Sequence, residues 1–148
     1  MDTSLQLIDS HCHLDDTRLS EELDAVIDRA QAAGVGQMVT IGASEGMEAN
    51  HIAVDIASRY PHVYATVGIH PHEARTVTPE MLNTLEDMAR GSEKVIGIGE
   101  TGLDYYYDNS PRAVQQEVFR QFIDLARRCQ LPIVIHLRDA YDLSLIHI

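Results

Sequence analysis

Short apolar runs alternate with amphipathic helical segments along the chain, and this alternation constrains the fold more than any other feature. Runs rich in Val and Ile predict five strands, at Leu5–Asp9, Gln37–Ile41, Val63–Ile69, Lys94–Ile98 and Pro132–Ile135. Four helices are predicted between them, at Ser20–Ala33, Ser44–Arg59, Pro79–Arg90 and Pro111–Cys129, with Ser20 as the cap of the first. Strands and helices that alternate in this way are typical of an α/β domain with a parallel sheet.

The residues that follow the first strand argue against one common kind of parallel sheet. A dinucleotide-binding sheet has Gly-x-Gly-x-x-Gly at this point. This chain has His11-Cys12-His13 instead. Residues two apart on an extended strand point to the same side, so both imidazoles can reach one metal ion.

Further ligand-type residues follow the other predicted strands. His70 follows the third strand, Glu100 the fourth and His136 the fifth. The carboxyl ends of parallel strands open on one face, so these side chains are expected to meet the first two histidines there. Neutral imidazole and carboxylate together suit Zn²⁺, Mn²⁺ or Fe²⁺, and a carboxylate can bridge two ions. The pattern therefore predicts metal-assisted hydrolysis.

Other polar residues near these positions have two readings each. His70 is a candidate for substrate or phosphate contact, or else a structural residue of the loop that Pro71 begins. Arg138 suits a phosphate oxygen, or else an ion pair with a nearby aspartate. Asp9 is a candidate for orienting a ligand imidazole, which we favour, or for binding the metal itself. The three tyrosines at 105–107 are candidates for base stacking or for aromatic packing over the site.

Composition excludes some functions and leaves others open. The formal charge is −12, with Lys94 as the single lysine, which argues against a broad basic surface for non-specific nucleic-acid binding. A nucleic-acid substrate stays possible because a divalent metal can supply positive charge. No apolar run approaches the roughly 20 residues that span a bilayer, so we expect a cytoplasmic protein without a membrane partner. No protein partner is evident.

Four segments together closely resemble the TatD family of metal-dependent hydrolases and deoxyribonucleases. They are Asp9-Ser-His-Cys-His-Leu-Asp15, Gly68-Ile-His-Pro-His72, Gly97-Ile-Gly-Glu-Thr-Gly-Leu-Asp-Tyr-Tyr106 and Leu131-Pro-Ile-Val-Ile-His-Leu-Arg-Asp-Ala140. The resemblance implies a (β/α)8 TIM barrel that holds one or two divalent metal ions, with Zn, Mn, Mg and Fe as candidates. It also implies that His11 and His13 bind the first metal, that Glu100 bridges and is catalytic, and that His136 binds the second.

The chain also departs from the family pattern. Members of the family continue with further strands that supply another histidine ligand and a late aspartate, and this sequence stops before either one. A complete barrel needs about 250 residues, and this chain has 148. We therefore expect about the first five βα units of the barrel, in a single domain at residues 1–142. The segment at residues 143–148 is expected to be a non-native tail.

The resemblance favours a deoxyribonuclease that cleaves phosphodiester bonds with metal-activated water. In this reading DNA is the substrate, and His70 or Arg138 steadies the phosphate. Two alternatives stay open. The same site could hydrolyse a carboxylic ester or amide bond, or the isolated chain could be an inactive metal-binding fragment of such an enzyme.

Overall fold

Five parallel strands lie side by side in chain order in the computed structural model, which describes residues 6–142. The strands are β1 (Leu7–Cys12), β2 (Val35–Ile41), β3 (Val63–Val67), β4 (Val95–Asp104) and β5 (Ile133–Arg138). The helices between them are α1 (Leu23–Ala32), α2 (Gly46–Arg59), α3 (Pro79–Gly91) and α4 (Arg112–Cys129). Short 3₁₀ helices occupy Thr17–Leu19 and Pro71–Thr76.

The sheet curls into a half-barrel, which confirms the predicted TIM-barrel class with about five of its units. Within residues 6–142, β1 and β5 are the outer strands of the sheet. Among these residues, β1 pairs with β2 alone, and β5 pairs with β4 alone. Leu7 and Ile8 on β1 are exposed. The curl brings the carboxyl ends of β1 and β4 close together although two strands separate them in the sheet.

Helix packing fixes the positions of these strands. The apolar faces of α3 and α4 bury Leu85, Phe122 and Leu125 against Val67 on β3 and Ile98 on β4. A second cluster joins α1 and α2 to β2 and β3. Buried side chains such as these each contribute about 1.5–3 kcal/mol relative to exposure, so the helices hold the strands in register.

Local signals explain where α3 begins and where α4 ends. Thr78 caps α3 by accepting a hydrogen bond from the Met81 N–H at 3.3 Å, and Pro79 occupies the first turn, where no N–H is needed. The chain leaves α4 through Gln130, whose φ of 57° is left-handed. The turn at Gln130 directs the chain back into β5.

Several predicted boundaries differ from the structure, among them the start of α1 and the ends of β1, β4 and β5. Ser20 does not cap α1, because its hydroxyl donates to the Thr17 carbonyl at 2.7 Å and closes the 3₁₀ turn, and α1 begins only at Leu23. The strands β4 and β5 extend beyond their predicted ends by six and three residues. Glu100 and His136 therefore lie within strands rather than after them.

No helix among residues 6–142 is long and apolar enough to cross a membrane. The cytoplasmic location stays a prediction. The tail predicted at residues 143–148 and the predicted start of the first strand at Leu5 lie outside the described residues.

Candidate metal centre

The predicted ligands meet at the carboxyl end of the curled sheet. His11 lies in β1 and His13 follows it, Glu100 lies in β4, and His136 lies in β5. His70 follows β3 and caps the 3₁₀ helix that begins at Pro71. Four strands or strand ends thus contribute to one site.

Two groups of side chains in this site have the spacing that a metal ion needs, and they share Glu100. The first comprises His11, His13 and Glu100, and the second comprises His70, Glu100 and His136. Within each group, one ligand-type atom from every residue lies within 4.8 Å of the others. A single carboxylate thus stands between two candidate cation positions.

Glu100 has one oxygen facing each group. Its Oε1 lies 3.0 Å from His136 Nδ1, and its Oε2 lies 3.6 Å from His11 Nε2. Burial opposes ionisation of this carboxyl, but the hydrogen bond with His136 and the nearby His11 outweigh it and lower the pKa of Glu100. The group is therefore an anion at neutral pH, as a bridging ligand must be.

His136 is held between two carboxylates. Its Nδ1 faces Glu100, and its Nε2 lies 3.0 Å from Oδ2 of Asp104. The hydrogen bond with Glu100 raises the pKa of His136 despite its burial, and Asp104 adds to this effect. A cation that binds Nδ1 must therefore displace a proton, which couples metal binding to pH.

His70 differs from the other histidines in its proton position. Its Nδ1 accepts a hydrogen bond from the His72 N–H at 3.3 Å, and its Nε2 lies 3.1 Å from His136 Nδ1. Burial and the neighbouring histidines lower the pKa of His70 to about 4. The neutral ring therefore carries its proton on Nε2, which makes His70 a hydrogen-bond donor toward His136 in this arrangement.

A buried carboxylate also supports His13. Oδ1 of Asp15 lies 3.6 Å from His13 Nδ1, and the Ser44 hydroxyl donates to Oδ2. The nearby negative charge of Asp15 raises the pKa of His13. Since Nδ1 faces this carboxylate, Nε2 is the nitrogen left for a cation. A cavity of about 630 Å³ opens beside these residues.

Arg138 lies at the mouth of the site against two exposed tyrosines. Its guanidinium carbon is 5.2 Å from the ring centre of Tyr107 and 5.9 Å from that of Tyr106. Tyr106 is 63% exposed and Tyr107 is 54% exposed. The arrangement gives the mouth a positive charge and two accessible aromatic faces. The predicted ion pair of Arg138 with a nearby aspartate is not among the ion pairs of the described residues.

The structure brings the four predicted metal ligands together, and it places His70 beside them and Arg138 at the rim. Their roles stay predictions. Asp9 does not orient an imidazole, because its carboxylate accepts the backbone N–H of His11 at 3.1 Å. Asp104 was missed by sequence reasoning, although it lies in the same Gly-Glu-Thr-Gly-Leu-Asp segment as Glu100.

The residues of the site fit a divalent metal ion. The shared carboxylate is anionic, the histidine nitrogens converge on it, and Asp104 and Asp15 support His136 and His13 from behind in the way that carboxylates support metal-bound histidines. Nitrogen and carboxylate ligands of this kind suit Zn²⁺, Mn²⁺ or Fe²⁺.

Comparison with known proteins agrees with this geometry. Residues 8–148 match the family model described as TatD related DNase. A relative named uncharacterized metal-dependent hydrolase YabD, from Bacillus subtilis (strain 168), is 40% identical over 136 residues, which are 92% of this chain and 52% of the relative. The 3'-5' ssDNA/RNA exonuclease TatD of Salmonella typhimurium is 32% identical over 140 residues, 95% of this chain and 53% of the relative.

A solved structure shares the fold. The crystal structure of YjjV, a TatD homolog from Escherichia coli K12, superimposes with a TM-score of 0.87 at 30% sequence identity. The match covers 95% of this chain and 54% of that one. The chain thus spans about half the length of the relatives that it matches.

Proposed function

Because the chain belongs to the TatD family of metal-dependent hydrolases, we propose that the protein hydrolyses phosphodiester bonds of single-stranded nucleic acid, with DNA as the predicted substrate. The observation that carries the proposal is the position of Glu100, which has one oxygen toward His11 and the other toward His136. Two metal positions that share a carboxylate suit the attacking and leaving oxygens of an in-line displacement at phosphorus.

In this proposal His11, His13 and Glu100 hold one divalent cation, and Glu100 and His136 contribute to a second. When bound, such cations lower the pKa of water and stabilise negative charge on phosphoryl oxygens. The chain's own groups supply orientation. Glu100 fixes the distance between the two positions, and Asp15 holds the ring of His13.

The rim of the site supports a nucleic-acid substrate. The planar guanidinium of Arg138 matches the geometry of a phosphate group, and it is the cation nearest to the exposed rings of Tyr106 and Tyr107 among the cation–aromatic contacts of the described residues. Aromatic faces bind unpaired bases by stacking. With a cation on His136 Nδ1, the Nε2–H of His70 would be free to donate to a non-bridging phosphate oxygen. The Salmonella typhimurium relative, named a ssDNA/RNA exonuclease, supports the same substrate class.

The test is product analysis with metal-stripped protein. End-labelled single-stranded DNA and RNA are compared with carboxylic ester and amide substrates after addition of Mn²⁺, Mg²⁺, Zn²⁺ or Fe²⁺. We expect metal-dependent cleavage of the nucleic acid and its loss in the His136→Ala variant. His51→Ala, which changes an exposed histidine on α2, serves as the matched control and should retain activity.

Two outcomes would contradict the proposal. Turnover of carboxylic substrates alone would assign the site to ester or amide hydrolysis. Tight metal binding without turnover of any substrate would leave a metal-binding chain without hydrolase activity.

A further inference from the structure

We propose that Asp104 is a positioning residue, which sets the proton on His136 Nε2 and thereby leaves the Nδ1 lone pair facing the cation position beside Glu100. This inference rests on the proposed metal centre but not on the identity of the substrate. Asp104 has no role in the function argued above, and it is fully buried. A buried carboxylate needs a reason, because burial without partners is costly.

The partners of Asp104 account for its whole carboxylate. Oδ2 lies 3.0 Å from His136 Nε2 and 2.8 Å from His72 Nε2. Oδ1 accepts the backbone N–H groups of Tyr106 at 3.1 Å and Tyr107 at 2.9 Å. An ionised carboxylate only accepts hydrogen bonds. Both histidines must therefore present an Nε2–H to it.

The other end of the histidine chain requires the same proton arrangement. The His72 N–H donates to His70 Nδ1, so neutral His70 carries its proton on Nε2 and directs it at His136 Nδ1. His136 Nδ1 also faces Glu100 at 3.0 Å, and a ring that is protonated on both nitrogens donates to both carboxylates. Once Nδ1 has given up its proton, the neutral ring keeps the other proton on Nε2 against Asp104, and Nδ1 becomes an acceptor for His70. In the neutral ring the contacts with Asp104 and His70 both favour one tautomer, the one in which Nδ1 can bind a cation.

Asp104 itself is held rigidly. Its backbone N–H donates to Gln115 Oε1 at 2.8 Å, and Gln115 Nε2 donates to the Asp104 carbonyl at 3.1 Å and to the Ser110 carbonyl at 2.7 Å. Gln115 is also buried. Gln115 thus holds the backbone of Asp104, while the N–H groups of Tyr106 and Tyr107 hold its carboxylate, so the ring of His136 must adapt to it.

Replacement of Asp104 by Asn separates positioning from a purely structural role. The amide oxygen can still accept the N–H groups of Tyr106 and Tyr107, while the amide NH₂ then faces the histidines as a donor. His136 Nε2 would have to become an acceptor, which moves the proton to Nδ1, where it blocks the cation. Asp108→Asn changes an exposed aspartate on the same loop that pairs with Arg112, and it serves as the matched control.

Two measurements test the inference. Chelator competition with Zn²⁺ should show a loss of affinity of about 10- to 100-fold in the Asp104→Asn variant, the usual effect of losing a carboxylate behind a histidine ligand. Asp108→Asn should bind as the unmodified protein does. Long-range ¹H–¹⁵N NMR of metal-free protein, above the titration of the ring, should show the His136 proton on Nε2 and its transfer to Nδ1 in Asp104→Asn.

Wild-type Zn²⁺ affinity in Asp104→Asn would overturn the inference. So would a neutral His136 that carries its proton on Nδ1 in the unmodified protein, a result that needs no variant and stands even if Asp104→Asn fails to fold. Neither readout involves substrate. A protein that cleaves no nucleic acid would refute the proposed function and leave this inference intact.

Discussion

Gly102 on β4 lies directly against the backbone carbonyl of His136, its partner on β5. A Cβ at this position would overlap the carbonyl oxygen, and the φ of Gly102 is 143°, which side chains rarely adopt. The close approach brings the strand that carries Glu100 against the strand that carries His136. The spacing of the metal centre therefore depends on a residue without a side chain.

Gly102→Ala should lower the free energy of unfolding by about 2–4 kcal/mol, because backbone strain and overpacking act together. Urea denaturation of metal-free protein measures the loss. Gly91→Ala is the control, since a Cβ there meets nothing within 4 Å; its effect should be within about 0.5 kcal/mol. Equal stability of the two variants would contradict the overlap.

Glu100→Gln should weaken both cation positions at once, because the bridging negative charge is lost while the volume is kept. Loss of a group that supports a metal ligand lowers metal affinity roughly 10- to 100-fold, and we expect the affinity of Glu100→Gln for divalent metal to fall by more than this. Bound metal is measured by elemental analysis after gel filtration. Glu93→Gln, an exposed carboxylate just before β4, should leave the metal content unchanged. Loss of one of two bound ions would instead show that Glu100 does not bridge.

His70→Ala should show whether His70 donates a hydrogen bond to the substrate or binds the metal. Since the neutral His70 ring carries its proton on Nε2, we expect the metal content to stay the same while kcat/KM on single-stranded DNA falls by about 10- to 100-fold, as for a lost hydrogen bond of 1.5–3 kcal/mol to a charged group. Steady-state kinetics and elemental analysis are run on the same sample. A matching loss of bound metal would identify His70 as a ligand.

Arg138→Ala should raise KM for single-stranded DNA about tenfold, equivalent to ~1.4 kcal/mol, with little effect on kcat. Arg138→Lys should give an intermediate KM, because it keeps the charge but not the planar fork. Arg120→Ala, an exposed arginine on α4 paired with Glu117, is the control. An unchanged KM in Arg138→Ala would remove this residue from the substrate site.

The ion pairs of Glu86 with Arg90 and Arg128 join α3 to α4, and they make the free energy of unfolding depend on pH without any metal. Glu86 accepts hydrogen bonds from Arg128 at 2.8 Å and from Arg90 at 2.9 Å, and these bonds lower its pKa below the ordinary value of a glutamate. A lowered folded-state pKa means that the unfolded chain binds more protons in this range. The stabilisation is therefore complete above the ordinary pKa of a glutamate, and it is lost as the pH falls through the lower folded-state pKa.

Glu86→Gln should lower the free energy of unfolding by up to about 1 kcal/mol at neutral pH, as expected for exposed ion pairs in a small network. The difference from the unmodified protein should disappear in acid, as measured by urea denaturation of metal-free protein across the pH range. Glu117→Gln, which removes a single longer pair with Arg120 at 3.5 Å, should show a smaller effect at every pH.

Sequence reasoning recovered the sheet and its ligands because both depend on strong local patterns. Val- and Ile-rich runs between helices indicate parallel strands, and the residues near their carboxyl ends must share one face. His11, His13, Glu100 and His136 were all found in this way, and the structure brings them together.

Other features depend on tertiary contacts that the sequence does not display. The glycines around Glu100 hide the apolar alternation of β4, so its last six residues were not predicted as strand. The part played by Asp104 depends on two histidines that lie 32 residues away on either side along the chain, and their proton positions follow only from the distances. Ser20 looked like a helix cap because a 3₁₀ turn and an N-cap favour the same residue types.

The curl that brings β1 close to β4 has a consequence for folding. His11 and Glu100 are 89 positions apart in the numbering and belong to strands that do not touch through backbone hydrogen bonds. An ion held by both would act as a non-covalent crosslink across the intervening strands, and it would bind the folded chain in preference to the unfolded one. At 100 times its Kd, such an ion adds about 2.7 kcal/mol to the free energy of unfolding. Thermal denaturation would then report occupancy of the centre before any substrate is known.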